Sequence, residues 1–215
     1  MKKSEAQAIV GGLSAPSKMP GPSYSISALN CQTGQRLRQV EGSVCAACYA
    51  CKGRYVFGSV KTAHARRLAT IVGALADEAA RAKWVQAMAA LLQGVEYFRW
   101  HDSGDLQSVD HFGLIAEVAA ATPDTRHWLP TKEPRYVSRW QSAGGRVPTN
   151  LVVRVSAPMV DTLAPLGPSH VSSVHKHKPA NPGAHVCPAP TQGGVCGDCR
   201  ACWRADVREV SYHAH

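Results

Sequence analysis

The sequence predicts an α/β protein, either a partial (β/α) barrel or an open, mostly parallel sheet, with cysteine-rich metal-binding loops. Three observations carry that expectation. From residue 96 onward, strand-patterned and helix-patterned segments take turns with short links, which is the signature of βαβ units. A long region of helical periodicity precedes them. Eight cysteines form two sets of one spacing, Cys31 with Cys45, Cys48 and Cys51, then Cys187 with Cys196, Cys199 and Cys202. Each set is a lone cysteine followed by C-x2-C-x2-C, and none is left over.

The elements follow in order. Residues 1–23 are rich in Gly, Pro and Ser and read as a flexible lead-in. Residues 24–29 alternate, predicting a short strand that runs into Cys31. Within residues 59–92, Ala63, Leu68, Ile71, Val72, Leu75, Trp84, Met88 and Leu91 recur at helical intervals. A break falls at Ala76 and Asp77, where Asp77 is placed to cap a second helix. Residues 96–101 predict a strand, 109–121 a helix, 126–131 a strand and 136–142 a short helix ended by Gly144 and Gly145. Residues 151–156 are a β-branched strand, and 169–174 are a further candidate. Residues 24–175 thus form an α/β core that carries the first cysteine set. Residues 176–215 form a Pro-, Gly- and His-rich tail, held by metal more than by core.

A chain of 215 residues fits one domain with a small appendage. No apolar run approaches the ~20 residues that span a bilayer, so no membrane is expected. Met1, Lys2 and Lys3 open a basic start, but no apolar signal-peptide core follows, and the expected location is cytoplasmic. There, eight cysteines read as metal-held thiolates rather than disulfides. The net charge of +9 permits contact with nucleic acid. It is spread out, however, with clusters only at Arg66-Arg67 and at His175-Lys176-His177-Lys178.

In a parallel α/β sheet, ligands collect at the carboxyl ends of the strands. The predicted exits there are Cys31, then His101-Asp102-Ser103-Gly104-Asp105, then Thr131-Lys132-Glu133, then Ser156, and last His175 and His177 toward Cys187. His101, Asp102, Asp105 and Lys132 are the catalytic candidates, with Ser103 and Gly104 as cofactor-binding candidates. The plainer reading makes residues 101–105 a turn capped by Asp102 and Ser103, and Lys132-Glu133 a solvated pair. Alternation puts Arg99 on the face of His101. The histidines between 170 and 185 offer further metal donors.

Zinc sites pair two C-x2-C units across a longer gap. Here each set has three cysteines at equal gaps plus a remote fourth, and Cys187-Pro188 repeats a ferredoxin detail that Cys31 lacks. The spacing favours two [4Fe–4S] clusters over zinc, one on Cys31, Cys45, Cys48 and Cys51, the other on Cys187, Cys196, Cys199 and Cys202. Exchange of the lone cysteines between clusters stays open. An electron donor or acceptor is the partner such clusters imply.

Two resemblances follow. A cysteine loop directly after the first strand of a βα repeat, with a second set near the C-terminus, resembles radical S-adenosylmethionine enzymes with an auxiliary cluster, over residues 24–202. That resemblance implies S-adenosylmethionine at one cluster and a substrate near His101, Asp102, Asp105 and Lys132. The usual motif of that family is C-x3-C-x2-C, whereas this chain has C-x2-C-x2-C plus Cys31, enough thiolates to close the site. The segments Ser43-Val44-Cys45-Ala46-Ala47-Cys48-Tyr49-Ala50-Cys51, Arg99-Trp100-His101-Asp102-Ser103-Gly104-Asp105 and Cys196-Gly197-Asp198-Cys199-Arg200-Ala201-Cys202-Trp203 are similar to the phage family known as gene product 88. That resemblance covers most of the chain after residue 20. It implies a viral origin and action inside a bacterial host, and it brings no function with it.

Overall fold

In the computed structural model, which describes residues 1–214, Asp77 does what its position predicts. Its carboxylate accepts from Ala80 N at 2.8 Å and starts helix α4 (Glu78–Leu92), directly after helix α3 (Gly58–Ala74). Ser108 starts α5 (Val109–Ala121) in the same way, through His111 N. Three further helices are α1 (Lys3–Val10), α2 (Gln32–Leu37) and α6 (Pro134–Ser142), the last with proline in its first turn.

Among the described residues the strands are β1 (Ser23–Tyr24), β2 (Tyr97–Trp100), β3 (Arg126–Thr131), β4 (Leu151–Ser156), β5 (Val171–His175), β6 (His185–Val186) and β7 (Glu209–His213). They form one seven-stranded sheet in the order β1-β2-β3-β4-β5-β7-β6, and every pairing in it is parallel. The first five strands lie in chain order, so each crossover steps the same way. Right-handed crossovers then bring their helices to a single face.

That face holds the core. Phe98 and Trp100 of β2 and Leu129 of β3 pack there with Val10 of α1, Trp84 and Met88 of α4, and Phe112 and Ile115 of α5. Removing a large core side chain of this kind costs ~3–5 kcal/mol. The opposite face carries Arg99, Trp128 and Arg154. It is covered by the 3-10 turn Ala201–Trp203, whose Trp203 ring lies 5.2 Å from Trp128 and 5.5 Å from Tyr97.

Several elements differ from expectation for identifiable reasons. The predicted lead-in contains α1, and its Ala6 and Val10 are fully buried, because a short helix with two apolar positions suffices to cap the α3–α4 pair. The strand expected over residues 24–29 ends at Tyr24. Ser27 instead accepts from Leu29 N and starts a 3-10 turn at Ala28. The tail is tied into the sheet, since β7 lies between β5 and β6. Its pattern escaped the hydrophobic reading because its buried side chains include Glu209 and Ser211, which hydrogen-bond Ser173 at 2.6 and 3.0 Å.

Candidate metal centres

Because all strands run in parallel, their carboxyl ends share one rim, and the first cysteine loop is tied across it. Thr33 N at the start of α2 donates to Glu133 Oε1 at 2.7 Å, and Gln32 Nε2 donates to Gln107 O at 2.7 Å. Val44 N donates to Pro158 O at 2.9 Å, and Val160 N donates to Gly42 O at 3.0 Å. The loop is therefore fixed to the exits of β2, β3 and β4. Lys132 and Glu133 are not the solvated pair of the plainer reading. Glu133 is buried and paired with Arg135 at 3.2 Å, and Lys132 Nζ donates inward to Ala157 O at 2.6 Å.

Within this loop the thiols gather. The Cys31 and Cys45 sulfurs lie 3.6 and 3.7 Å from the point where a Cβ on Gly34 would stand. Burial pushes the Cys31 thiol far up, and the charges of Asp105, Cys48, Cys45 and Cys51 push the same way. Burial also raises Cys45, while Lys132 pulls it back down. Burial lowers Lys132, and the Cys45, Asp105, Cys48 and Cys31 charges oppose that. Thiolates placed this way are costly unless a cation takes them, which is the chemistry of a metal-ligating set.

The second set lies along β6 and the tail. Cys187 N donates to Ser211 O at 2.9 Å and Cys196 N to Lys18 O at 3.0 Å, so both the sheet and the N-terminal segment position it. Burial raises Cys187, Cys196 and Cys202, the last to about 12. Charge from Cys199 adds to the rise at Cys187, charge from Cys187 and Cys199 to that at Cys196, and charge from Cys187 to that at Cys202. His185 Nε2 is 3.4 Å from the Cys199 sulfur, and Tyr212 Oη is 3.2 Å from that of Cys202. The charge of each lone cysteine thus acts within its own set.

Arg99 links the two sets. Its guanidinium lies 4.4 Å from the centre of the Trp128 ring and donates to Tyr49 Oη at 3.2 Å, while its charge reaches Cys196 and Cys202. Tyr49 sits between Cys48 and Cys51 and donates to Asp102 O at 2.5 Å. The Asp102 carboxylate accepts from Ser23 at 2.6 Å, from Ser25, and from Tyr55 at 2.8 Å. Asp105 accepts from Thr131 Oγ1 at 2.6 Å, Lys132 N at 2.7 Å and Leu106 N at 2.8 Å. Burial nonetheless raises it to about 6. Asp105 and Lys132 thus flank the first thiols, whereas Asp102 is enclosed by hydroxyl donors.

His101 departs from expectation. Its backbone φ of 62° is left-handed, which breaks the strand alternation and turns its ring away from the face of Arg99. The ring lies 5.2 Å from that of His111 of α5. Gly104 (φ 91°) lets the chain pass against Ile26, where a Cβ would stand 2.3 Å from a side-chain carbon. Ser103 Oγ is buried without a hydrogen-bond partner, as are both histidine Nε2 atoms.

The tautomers follow from the partners. His101 Nδ1 faces Tyr24 O at 3.1 Å and so carries the proton, while His111 Nδ1 accepts from Gln107 N at 3.2 Å, leaving its proton on Nε2. His127 accepts from Trp100 Nε1 at 3.1 Å and donates through Nε2 to Thr122 Oγ1 at 2.8 Å. Burial lowers His101 to about 4, His127 to about 3, and His111 well below its ordinary value. The unfolded chain therefore takes up protons near pH ~6.5 that the folded chain refuses. Stability is full above that pH and drains as pH falls toward the folded values. The melting temperature is expected to drop steadily from pH 7 to 4.5, with the imidazole NMR signals of these three residues flat between pH 8 and 6. A midpoint near 6.5 for His101 would contradict the enclosed arrangement.

Sequence reading did not find Gly34, Arg154 or Tyr212 as site neighbours, since the approach of each to the cysteines depends on the folded chain. Among the described residues, no three His, Cys, Asp or Glu side chains stand close enough to hold a single metal ion. The family model described as Gene product 88 matches residues 2–205. No curated protein and no solved structure matches the chain.

Proposed function

The chain belongs to the gene product 88 family, and on that premise we propose a phage iron–sulfur protein that binds two [4Fe–4S] clusters in a redox role. The observation that carries this reading is the sorting of the thiols. The charges of Cys45, Cys48 and Cys51 act on Cys31, whose sulfur and that of Cys45 both lie against Gly34, while the charge of Cys199 acts on Cys187 and that of Cys187 on Cys196 and Cys202. Four thiols per set is the ligand count of a four-iron cluster, which when bound supplies one-electron exchange.

The chain's own residues set the surroundings. Lys132 brings positive charge to the first thiols, and Arg99 brings it to Cys196 and Cys202. Tyr212 and His185 lie within hydrogen-bonding reach of the second set. Charge and hydrogen bonds at sulfur are the levers by which a protein tunes such a centre. No helix among the described residues is long and apolar enough to cross a membrane. The host cytoplasm, which is reducing, is where we place its action.

Anaerobic purification with iron, sulfide and zinc assays and an absorption spectrum tests the reading. A brown protein with matching iron and sulfide is expected. A colourless protein with stoichiometric zinc would overturn it and favour a zinc-stabilised nucleic-acid-binding module.

One observation favours a second reading, a radical S-adenosylmethionine-like enzyme. The first five strands lie in chain order, and the cysteine loop that follows β1 lies beside Asp105 and Lys132, which puts polar groups at the rim of the parallel sheet. Reduction in the presence of S-adenosylmethionine should then yield 5′-deoxyadenosine. If none forms and the spectrum ignores the cofactor, this second reading falls.

A further inference from the structure

The surface over the first cysteine loop combines two features that no ligand set requires. Leu29, Val40, Val56 and Phe57 are exposed by 61, 43, 43 and 58%, and Tyr49 by 36%. Leu29, Tyr49 and Val56 lie on 3-10 turns that touch in series, Ala28–Asn30, Tyr49–Cys51 and Gly53–Val56, Phe57 directly follows the last, and Val40 follows α2, which touches the first. Exposed apolar side chains gathered in one place mark an interaction surface. The same stretch, residues 28–57, carries Arg36, Arg38, Lys52 and Arg54 against the single acid Glu41. Arg36, Lys52 and Arg54 are exposed, and the charge of Arg38 reaches Cys51.

We propose that this basic face, with its exposed apolar side chains, docks an acidic electron-carrier protein of the flavodoxin or ferredoxin class. That the partner is an electron carrier rests on the iron–sulfur reading; that it is an acidic protein rests on the surface itself. A second copy of the chain does not fit, because an isologous contact would set Arg36, Lys52 and Arg54 against their own copies. Single-stranded nucleic acid fits less well, because three of the five exposed apolar residues are aliphatic and offer no stacking face. Transient electron-transfer contacts are small, apolar at the centre and charged at the rim, and opposite charge speeds their formation.

The test is calorimetric titration of the purified protein, its iron content measured on the same sample, with an acidic flavodoxin at 50 and 500 mM salt. Affinity is expected to fall about tenfold or more at high salt, by a similar factor in the double variant Arg36→Glu/Arg54→Glu, and to weaken in Phe57→Ser. These side chains ligate nothing in either thiol set, so far-ultraviolet circular dichroism should be unchanged. No binding, or binding indifferent to both the charge reversal and Phe57→Ser, overturns the proposal. So does tight binding of a single-stranded oligonucleotide through these residues without binding of the flavodoxin. An iron-free sample that still binds flavodoxin through them supports the docking face and overturns the iron–sulfur reading instead.

Discussion

Replacing Arg154 by methionine is expected to release the C-terminal tail from the sheet and to abolish the second metal centre. Arg154 lies on β4 and is fully buried. Its guanidinium donates to six carbonyl oxygens, those of Cys202, Val171, Arg208, Ala201, Arg204 and Val207, at 2.8–3.4 Å. No ion pair to a carboxylate accompanies it among the described residues, and the titratable groups that act on it are Tyr212 and Cys202, both of which burial raises. The positive charge is thus held by backbone dipoles of the segment that presents Cys202.

Methionine fills comparable volume but donates nothing, so several buried carbonyls lose their partner at ~1–3 kcal/mol each. Allowing for relaxation, the expected loss is on the order of 5 kcal/mol, comparable to the whole stability of a modest domain. Lysine has three donors on one atom and lacks the planar fork, so it should recover only a minor part. Limited proteolysis checks this directly. Arg154→Met should be cut between residues 176 and 208 while its helical circular dichroism persists, and intact protease resistance would show that the tail is held by something else.

The second large effect concerns Gly34, where two ordinary rules point in opposite directions. Glycine inside a helix costs ~1 kcal/mol relative to alanine, so Gly34→Ala on α2 should stabilise by propensity alone. Its added Cβ, however, would stand 2.8 Å from Cys31 Cβ, with the Cys31 and Cys45 sulfurs just beyond. The contact is with the root of the Cys31 side chain, not with a flexible end that swings aside. Cys31 must therefore move, and with it the lone ligand proposed for the first set. Gly34→Ala is expected to fold and to keep its second centre, while iron drops from roughly eight to roughly four atoms per chain. Retention of full iron would mean that Cys31 is not a ligand.

Much of this architecture was legible in the chain itself, and the misses have physical causes. α5, β3 and β4 lie where periodicity and β-branching place them, because the apolar side chains they bury keep the period of each element even with His111, His127 and Arg154 buried among them. Asp77 announces its helix through a hydrogen bond local in sequence. β7 and α1 were not legible, for opposite reasons. β7 is a polar strand whose Glu209 and Ser211 are satisfied by residues distant in sequence, Ser173 and Asn181 for Glu209 and Ser173 and His175 for Ser211, and α1 is too short for periodicity to speak.

At the site, the two cysteine sets and the polar strand ends at His101–Asp105 and Lys132 could be read as residue types. Their relation could not. One left-handed residue, His101, turns its ring away from Arg99, which strand alternation keeps on the opposite face. That Arg99 stands between Tyr49 and the second thiols depends on β2, the first loop and the tail together.

The central claim is that each lone cysteine completes its own triplet around a four-iron cluster. Mössbauer spectroscopy of protein reconstituted with 57Fe tests it most directly, on the wild type and on two paired variants, Cys45→Ser/Cys48→Ser and Cys199→Ser/Cys202→Ser. The account predicts a [4Fe–4S] spectrum with roughly eight irons per chain, and roughly four in each variant with the spectrum type unchanged. Loss of all iron from either variant alone, or a wild type that takes up zinc and no iron, would contradict it.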